Sequence, residues 1–405
     1  MSGFGYISDY FTGVASKRLT AVEIDPSVSR QHEFNGVAAL KLLWGTETIK
    51  IPARFLYLGD DDEDRVNDTG NLTWYDSRKN QPKRSPEFRL YYEANDALPH
   101  AAHGDLAIVA KRRDESAVVI VAKQGSTYES RLIWLFDLEE TVKSFTASEI
   151  QDDRNREADY LVRSILEELE IETEPKDTDF LDVLLGEFGA DFPTTEKFSA
   201  FARSTVHDAP VKENPDAALM LWFEREELLF RTLEQNIVAQ RLEQGFADVD
   251  DFISYSLSVH NRRKSRVGYA LEHHLACIFT DFGLRFSRHC RTENRVDADF
   301  MFPGKMQYHD PEFPAASLTM LGVKSTCKDR WRQVLSEADR IKHKHLFTLE
   351  GGISVAQTTE MKSHSLSLVL PAALHRSFRS EQQEILFSLR AFIDHVAEKS
   401  DSSVR

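Results

Sequence analysis

The chain has 405 residues, with 50 Lys and Arg against 66 Asp and Glu, for a net charge of −16. That length leaves room for two or three domains, and 41% apolar residues are enough for real cores. The overall charge speaks against a uniformly basic nucleic-acid coat, and no apolar run approaches the length of a membrane span. The cysteines, Cys277, Cys290 and Cys327, are too unevenly placed for a disulfide framework and lack zinc spacing, which fits a reducing cytoplasm. The start, MSGFGYISDYFTG, has neither the basic nor the apolar segment of a signal peptide.

Residues 1–150 read as mostly β. Apolar or alternating runs fall at Ala38–Trp44, Ile49–Leu58, Phe88–Tyr92, Leu106–Ala110, Ala117–Ala122 and Leu132–Phe136. Charged turn segments separate them, as at Gly59-Asp60-Asp61-Asp62 and Lys111-Arg112-Arg113-Asp114. Short strands at this spacing predict a barrel or a sandwich. Within them, TWYDSRKNQPKRSPEFRLYY interleaves aromatics with Arg and Lys. Aromatics stack on bases and cations meet phosphates, so Trp74, Tyr75, Tyr91 and Tyr92 fit a nucleic-acid surface. They fit ordinary strand-face positions equally well.

From Ala147 the chain turns acidic and helical, with Leu161, Ile165 and Leu169 spaced four apart on one face. IETEPKDTD, with Pro175 among charges, reads as a linker. The expected organisation is an N-terminal domain over 1–170, a linker over 171–178 and a second domain over 179–405. After a break at Pro210 and Pro215, Ala217–Glu243 reads as a long helix with Trp222, Leu228, Leu229, Leu233 and Ile237 on apolar faces. Arg262, Arg263, Lys264 and Arg266 in NRRKSR read as a clamp on the DNA backbone at a helix N-terminus. Counted over 261–345, 16 basic residues face 10 acidic ones, a local +6 against −22 elsewhere. A chain that binds nucleic acid needs a positive face, not a positive total.

The stretch that organises the second domain is DADFMFPGKMQYHDPEFPAASLTMLGVKSTCKDRWRQVLSEAD. Asp299 opens one apolar run and Lys324 ends another, LTMLGVK, where a charge is costly unless it has a partner or a task. Residues two apart on a strand share a face. Lys324 therefore shares its face with Gly322, where a (D/E)xK nuclease core carries an acid. Glu337, one helix later, is the candidate to fill that space. Two carboxylates and a lysine can hold a divalent cation against a phosphodiester and stabilise its transition state.

The strings NRRKSRVGYALEHHL, DFMFPG, YHDPEFP, MLGVKSTCKDRWRQVLSEADRI and HLFTLEGGIS resemble the catalytic domain of EcoRII-type restriction endonucleases, from about Phe180 to about Val396. The resemblance implies a PD-(D/E)xK fold in the variant whose second acid moves to the following helix. The matching pattern is Asp299, Val323-Lys324, twelve residues, then Glu337. It further implies that Tyr308 belongs to the site, that Glu272 joins the metal network, and that Lys328-Asp329-Arg330 reads CC:GG half-sites. Such a triplet is chemically apt, since cations donate to guanine and a carboxylate accepts from cytosine N4. His309 has no partner histidine at metal spacing. Trp222 is a candidate for stacking on an extruded base, though a Trp in an apolar stripe is more commonly core. For the N-terminal half the resemblance is faint and implies a barrel-like DNA-binding module.

The expectation is thus an α+β and α/β protein of two domains, a mostly-β barrel-like DNA-binding domain followed by a PD-(D/E)xK endonuclease core. Its expected activity is Mg²⁺-dependent cleavage of double-stranded DNA at a CC/GG site, as a homodimer, with no nucleotide cofactor and no membrane. The N-terminal half would sense a second target copy or 5-methylcytosine, the latter through a pocket drawn from Trp44, Trp74, Tyr75 and Tyr92. The competing class is a DNA-binding regulator with an inactive nuclease core.

Overall fold

The computed structural model describes residues 5–24, 32–34, 37–59, 64–81, 83–139, 144–150, 159–173, 180–293, 296–327 and 330–402. The expected linker lies largely outside them, as do Lys328 and Asp329. The chain divides into two compact units, residues 1–173 with 352–354, and residues 174–351 with 355–405.

The first unit is built on strands β1 (Phe11–Arg18), β2 (Glu33–Phe34), β3 (Ile49–Leu58), β4 (Val66–Asp76), β5 (Phe88–Tyr92), β6 (Leu106–Arg112), β7 (Ala117–Ala122) and β8 (Thr146–Glu149). They form one eight-stranded sheet in the order β2-β5-β4-β3-β7-β6-β1-β8. All neighbours are antiparallel except β3 and β7. The strands β2 and β8 stand at the two edges, so the ladder itself stays open.

The helices of this unit are α1 (Ala21–Ile24), α2 (Lys41–Trp44), α3 (Thr127–Phe136) and α4 (Tyr160–Glu168). Two apolar runs expected as strands are helical instead. Ala38–Trp44 falls in a 3-10 turn (Val37–Leu40) continued by α2, and Leu132–Phe136 ends α3. In each, the buried residues recur at helical spacing: Val37, Leu40, Leu43 and Trp44; Leu132, Leu135 and Phe136. The first segment touches both β5 and β8, which places it in the seam between the sheet edges.

Every residue of β7, AVVIVA, is buried. One of its faces packs in a core with Trp74, Phe55 and Tyr57. On another face of the sheet, the Phe136 ring of α3 meets Phe11 of β1 edge-on at 5.3 Å. A strand buried on both sides loses the polar alternation of a half-exposed one.

The second unit begins with α5 (Leu181–Phe188), α6 (Thr195–Ser204) and the long pair α7 (Pro215–Gln244) and α8 (Val249–Asp281). Strands β9 (Ser287–Arg291), β10 (Asp297–Phe302), β11 (Thr319–Val323), β12 (Lys344–Phe347), β13 (Leu366–Val369) and β14 (Leu386–Phe387) follow. They make a six-stranded sheet in sequence order, antiparallel from β9 to β11 and parallel from β11 to β14. Helices α9 (Lys305–His309), α10 (Trp331–Leu335), α11 (Val355–Ser363) and α12 (Leu389–Ser402) complete it. The closing helix α12 follows a 3-10 turn over residues 380–385 and the short strand β14. An aromatic cluster seals α8 to the sheet, with Phe279 edge-on to Phe300 at 5.2 Å and to Phe302 at 5.3 Å. No helix among the described residues is long and apolar enough to cross a membrane.

Candidate active site

β10 and β11 are antiparallel neighbours in the register Phe300↔Leu321, Met301↔Met320 and Phe302↔Thr319. Continuing that register sets Asp299 beside Gly322, one residue from the end of β11. Asp299 is 9% exposed. Its Oδ2 accepts from the Val323 N–H at 2.6 Å and from Lys324 Nζ at 3.0 Å. Lys324 in turn is fixed by its own N–H, which donates to the Phe347 carbonyl of β12 at 2.9 Å. The lysine at the strand end therefore has its partner.

Glu337 reaches the same place from another direction. It lies just past the end of α10, in a turn, and not on the helix as expected. The space beside Gly322 is filled by Val334 of α10 instead: a Cβ built on Gly322 would sit 2.9 Å from Val334 Cγ2. Glycine there lets α10 lie close against β11, and this approach carries Glu337 to Asp299. Glu337 is 2% exposed, and its Oε2 has no hydrogen-bond partner among the described residues.

Burial above all, together with the Asp299 charge, pushes the Glu337 carboxyl up to about 7, against the pull of Lys324 and Lys344. A buried carboxyl with an orphaned oxygen, beside a second carboxylate, has the hard oxygen donors that a divalent cation takes. Those two residues fit such an ion.

The other expected site residues are placed differently. Glu272 is engaged with Arg288 at 2.8 Å and His289 at 3.3 Å. Among the described residues no three His, Cys, Asp or Glu side chains gather as a metal-binding group. Arg288 and His289 also line an open cleft of about 380 Å³ with Thr195, Tyr269 and His273. The Tyr308 hydroxyl is buried and donates to the Glu293 carboxylate, which raises the phenol pKa further beyond what burial does. The hydroxyl is therefore committed to Glu293 in this structure.

The basic run NRRKSR lies inside α8, not at a helix N-terminus. Arg266 is buried between Glu226 and Glu227, and Arg263 pairs with Glu234 at 2.6 Å. Only Arg262 and Lys264 remain exposed, Arg262 with its guanidinium 3.9 Å from the Phe192 ring centroid. Arg330 is exposed at the start of α10, while Lys328 and Asp329 lie outside the described residues.

Trp222 is core, packed 5.9 Å from the His274 ring. Trp74 is fully buried, with its ring 6.3 Å from that of Trp44 and its Nε1–H donating to the Gly45 carbonyl at 3.1 Å. Tyr92 is buried too, and the Tyr75 hydroxyl donates to Glu33 at 2.5 Å. The aromatic receptor expected from Trp44, Trp74 and Tyr92 is thus the core of the sheet, and offers no open ring face to a base.

Sequence reading missed two further charged residues at the site. Lys344 of β12 is buried and donates from Nζ to the Leu335 carbonyl at 2.6 Å. Glu350 is buried and accepts from the Cys327 N–H, which ties down the loop after Lys324. The signal available was a charge inside or beside an apolar strand run, KHLFTLE, the same signal that singled out Lys324.

This arrangement can be compared with known proteins. Residues 230–393 match the EcoRII C-terminal family model. Asp299, Lys324 and Glu337 all fall within that EcoRII-C span, and residues 1–173 of the first unit fall outside it. Over 203 residues the chain is 43% identical to the type II restriction enzyme EcoRII of Escherichia coli, covering 50% of this chain and 50% of that enzyme. The chain thus spans about half the length of this curated relative.

Among solved structures, metal-depleted Ecl18kI in complex with uncleaved, modified DNA matches with a TM-score of 0.44 and 16% identity, over 56% of this chain and 85% of that one. A complex of the restriction endonuclease PspGI with substrate DNA matches with a TM-score of 0.43 and 13% identity, over 52% of this chain and 94% of that one.

Proposed function

We propose that the protein is a restriction-type endonuclease that hydrolyses phosphodiester bonds of double-stranded DNA at a CC/GG-containing site, using Mg²⁺ and acting as a homodimer. One observation carries the reading. Asp299, Lys324 and Glu337 come from separate elements, yet converge so closely that Lys324 bonds Asp299 at 3.0 Å and Asp299 helps raise the Glu337 carboxyl to about 7. The EcoRII-C match over the same residues supports it.

In this scheme Asp299 and Glu337 would hold the cation, which would supply phosphate polarisation and an activated water. Lys324, 3.0 Å from Asp299 Oδ2, would donate to the charge developing on the phosphoryl oxygens. Glu337 would hold the cation as a carboxylate, and its carboxyl, raised to about 7, predicts activity that rises with pH towards neutrality. Arg330 at the head of α10 contributes to base readout with Lys328 and Asp329. A two-fold dimer suits a palindromic target.

The first unit is assigned to DNA binding that controls cleavage. Its exposed Lys79, Lys83 and Arg84 in the β4–β5 connection favour contact with a duplex backbone, and the burial of Trp44, Trp74 and Tyr92 disfavours capture of a modified base.

Plasmid digestion tests this reading. With Mg²⁺ the full chain should cut at discrete sites. Asp299→Ala and Lys324→Ala should each abolish cutting, and Lys324→Ala should still bind target DNA. An added second-site duplex should speed cleavage of a one-site plasmid, and cytosine methylation should not be required. Specific binding without cleavage under any divalent cation would instead make the protein a DNA-binding regulator with an inactive core.

A further inference from the structure

The turn that bears Glu337 is held by bonds that reach it from three other parts of the second unit. Ahead of it, the Leu335 carbonyl accepts from Lys344 Nζ at 2.6 Å. Behind it, the Ala338 N–H donates to Thr292 Oγ1 at 3.3 Å and the Asp339 N–H donates to Glu293 Oε2 at 3.2 Å. That same Glu293 oxygen accepts the buried Tyr308 hydroxyl. The Arg340 guanidinium closes the circuit by donating to the Tyr308 and Asp310 carbonyls. Between these anchors Ala338 sits at φ +52°, in the left-handed region that a residue with a Cβ avoids. A backbone held there relaxes unless its surroundings over-determine it.

We propose that Glu293, held by Tyr308, is a positioning residue for Glu337. It fixes the Ala338–Asp339 backbone so that the orphaned Glu337 Oε2 faces Asp299 before any metal arrives. The inference rests on the reading of Glu337 as a metal-holding carboxylate. In it Glu293 and Tyr308 touch neither metal nor substrate; they act through one backbone amide, that of Asp339. Pre-formed geometry of this kind sets how tightly a site takes its ion, and partners of the ligands commonly alter affinity tenfold to a hundredfold.

The test uses the full chain and Tb³⁺ as a luminescent divalent-site probe, titrated without DNA, alongside cleavage kinetics with Mg²⁺. Glu337→Gln is the reference and should abolish the tight Tb³⁺ signal. Glu293→Ala and Tyr308→Phe should each raise the half-saturating Tb³⁺ concentration about tenfold or more. They should lower kcat at fixed Mg²⁺, and leave the dissociation constant for cognate DNA within about twofold. Glu293→Gln keeps an acceptor oxygen for the amide and should restore most of both quantities.

In the Glu293→Ala/Glu337→Gln double variant the Tb³⁺ loss should not exceed that of Glu337→Gln alone. If Glu337→Gln itself leaves Tb³⁺ binding intact, the metal-site reading fails. If Glu337→Gln abolishes binding while Glu293→Ala and Tyr308→Phe titrate like the parent chain, the positioning role is overturned. Should Glu293→Ala fail to fold, Tyr308→Phe and Glu293→Gln decide by the same titration.

Discussion

Replacing Glu337 with Gln should stabilise the metal-free protein, by an amount that depends on pH in a defined way. Burial and the neighbouring Asp299 lift the Glu337 carboxyl from its ordinary 4.5 to about 7 in the folded chain. The folded state therefore resists ionisation that the unfolded state accepts freely. Below about pH 4.5 both states hold the proton and the carboxyl costs nothing. As pH rises through 7 the unfolded state has already lost the proton, and the folded state gives it up only with a penalty. That gap is worth about 3 kcal/mol at its plateau, above neutrality, and about 2 kcal/mol near pH 6. Glutamine keeps the shape and removes the proton equilibrium. Urea unfolding of both chains in EDTA should give nearly equal stability at pH 4.5 and a difference of about 3 kcal/mol in favour of Glu337→Gln at pH 8. Added divalent cation should reverse the order, because it binds only the carboxylate. A difference between the two chains that stays constant from pH 4.5 to pH 8 would refute the account of Glu337 as a raised, buried acid.

Gly322→Ala should push α10 off β11, since its Cβ would lie 2.9 Å from Val334 Cγ2; a loss of about 1–3 kcal/mol by urea unfolding and a sharp fall in cleavage rate are expected. Arg330→Ala should cost about 1–3 kcal/mol of DNA affinity at one base pair, so equal loss on cognate and random duplexes in a binding titration would remove it from readout. Trp74→Ala should destabilise the first unit by about 3–5 kcal/mol, as expected for emptying a packed indole site, and differential scanning calorimetry should show it.

What was legible in the sequence was mostly local. Asp299 and Lys324 stood out because each is a charge set against an apolar strand. The strands Ile49–Leu58, Phe88–Tyr92 and Ala117–Ala122 were legible from β-branched and aromatic runs, and the long helix near Ala217–Glu243 from its length. Ala38–Trp44 and Leu132–Phe136 misled because a run of five to seven apolar residues is too short to separate period 2 from period 3.6. NRRKSR misled for another reason. Its charges were visible, but the acids that neutralise Arg263 and Arg266 lie on α7, about thirty to forty residues earlier. The tie from Glu293 to Asp339 spans 46 positions and depends on how the β9–β10 hairpin lies beside α10; no spacing rule in one chain reports it.

The ladder between β10 and β11 also bears on how this protein can vary. Asp299 and Lys324 are set against each other by paired backbones, not by the connection that joins their strands. Length changes between Pro314 and Leu318, beyond the Arg340 tie to the Phe313 carbonyl, would leave the carboxylate and the amine where they are. A single residue added within Phe300–Phe302 or Thr319–Leu321 would turn every following side chain to the opposite face of the sheet. Natural variants should therefore gather insertions in that short connection and none in the two strands, and a designer seeking a place to graft a loop near the site would begin there.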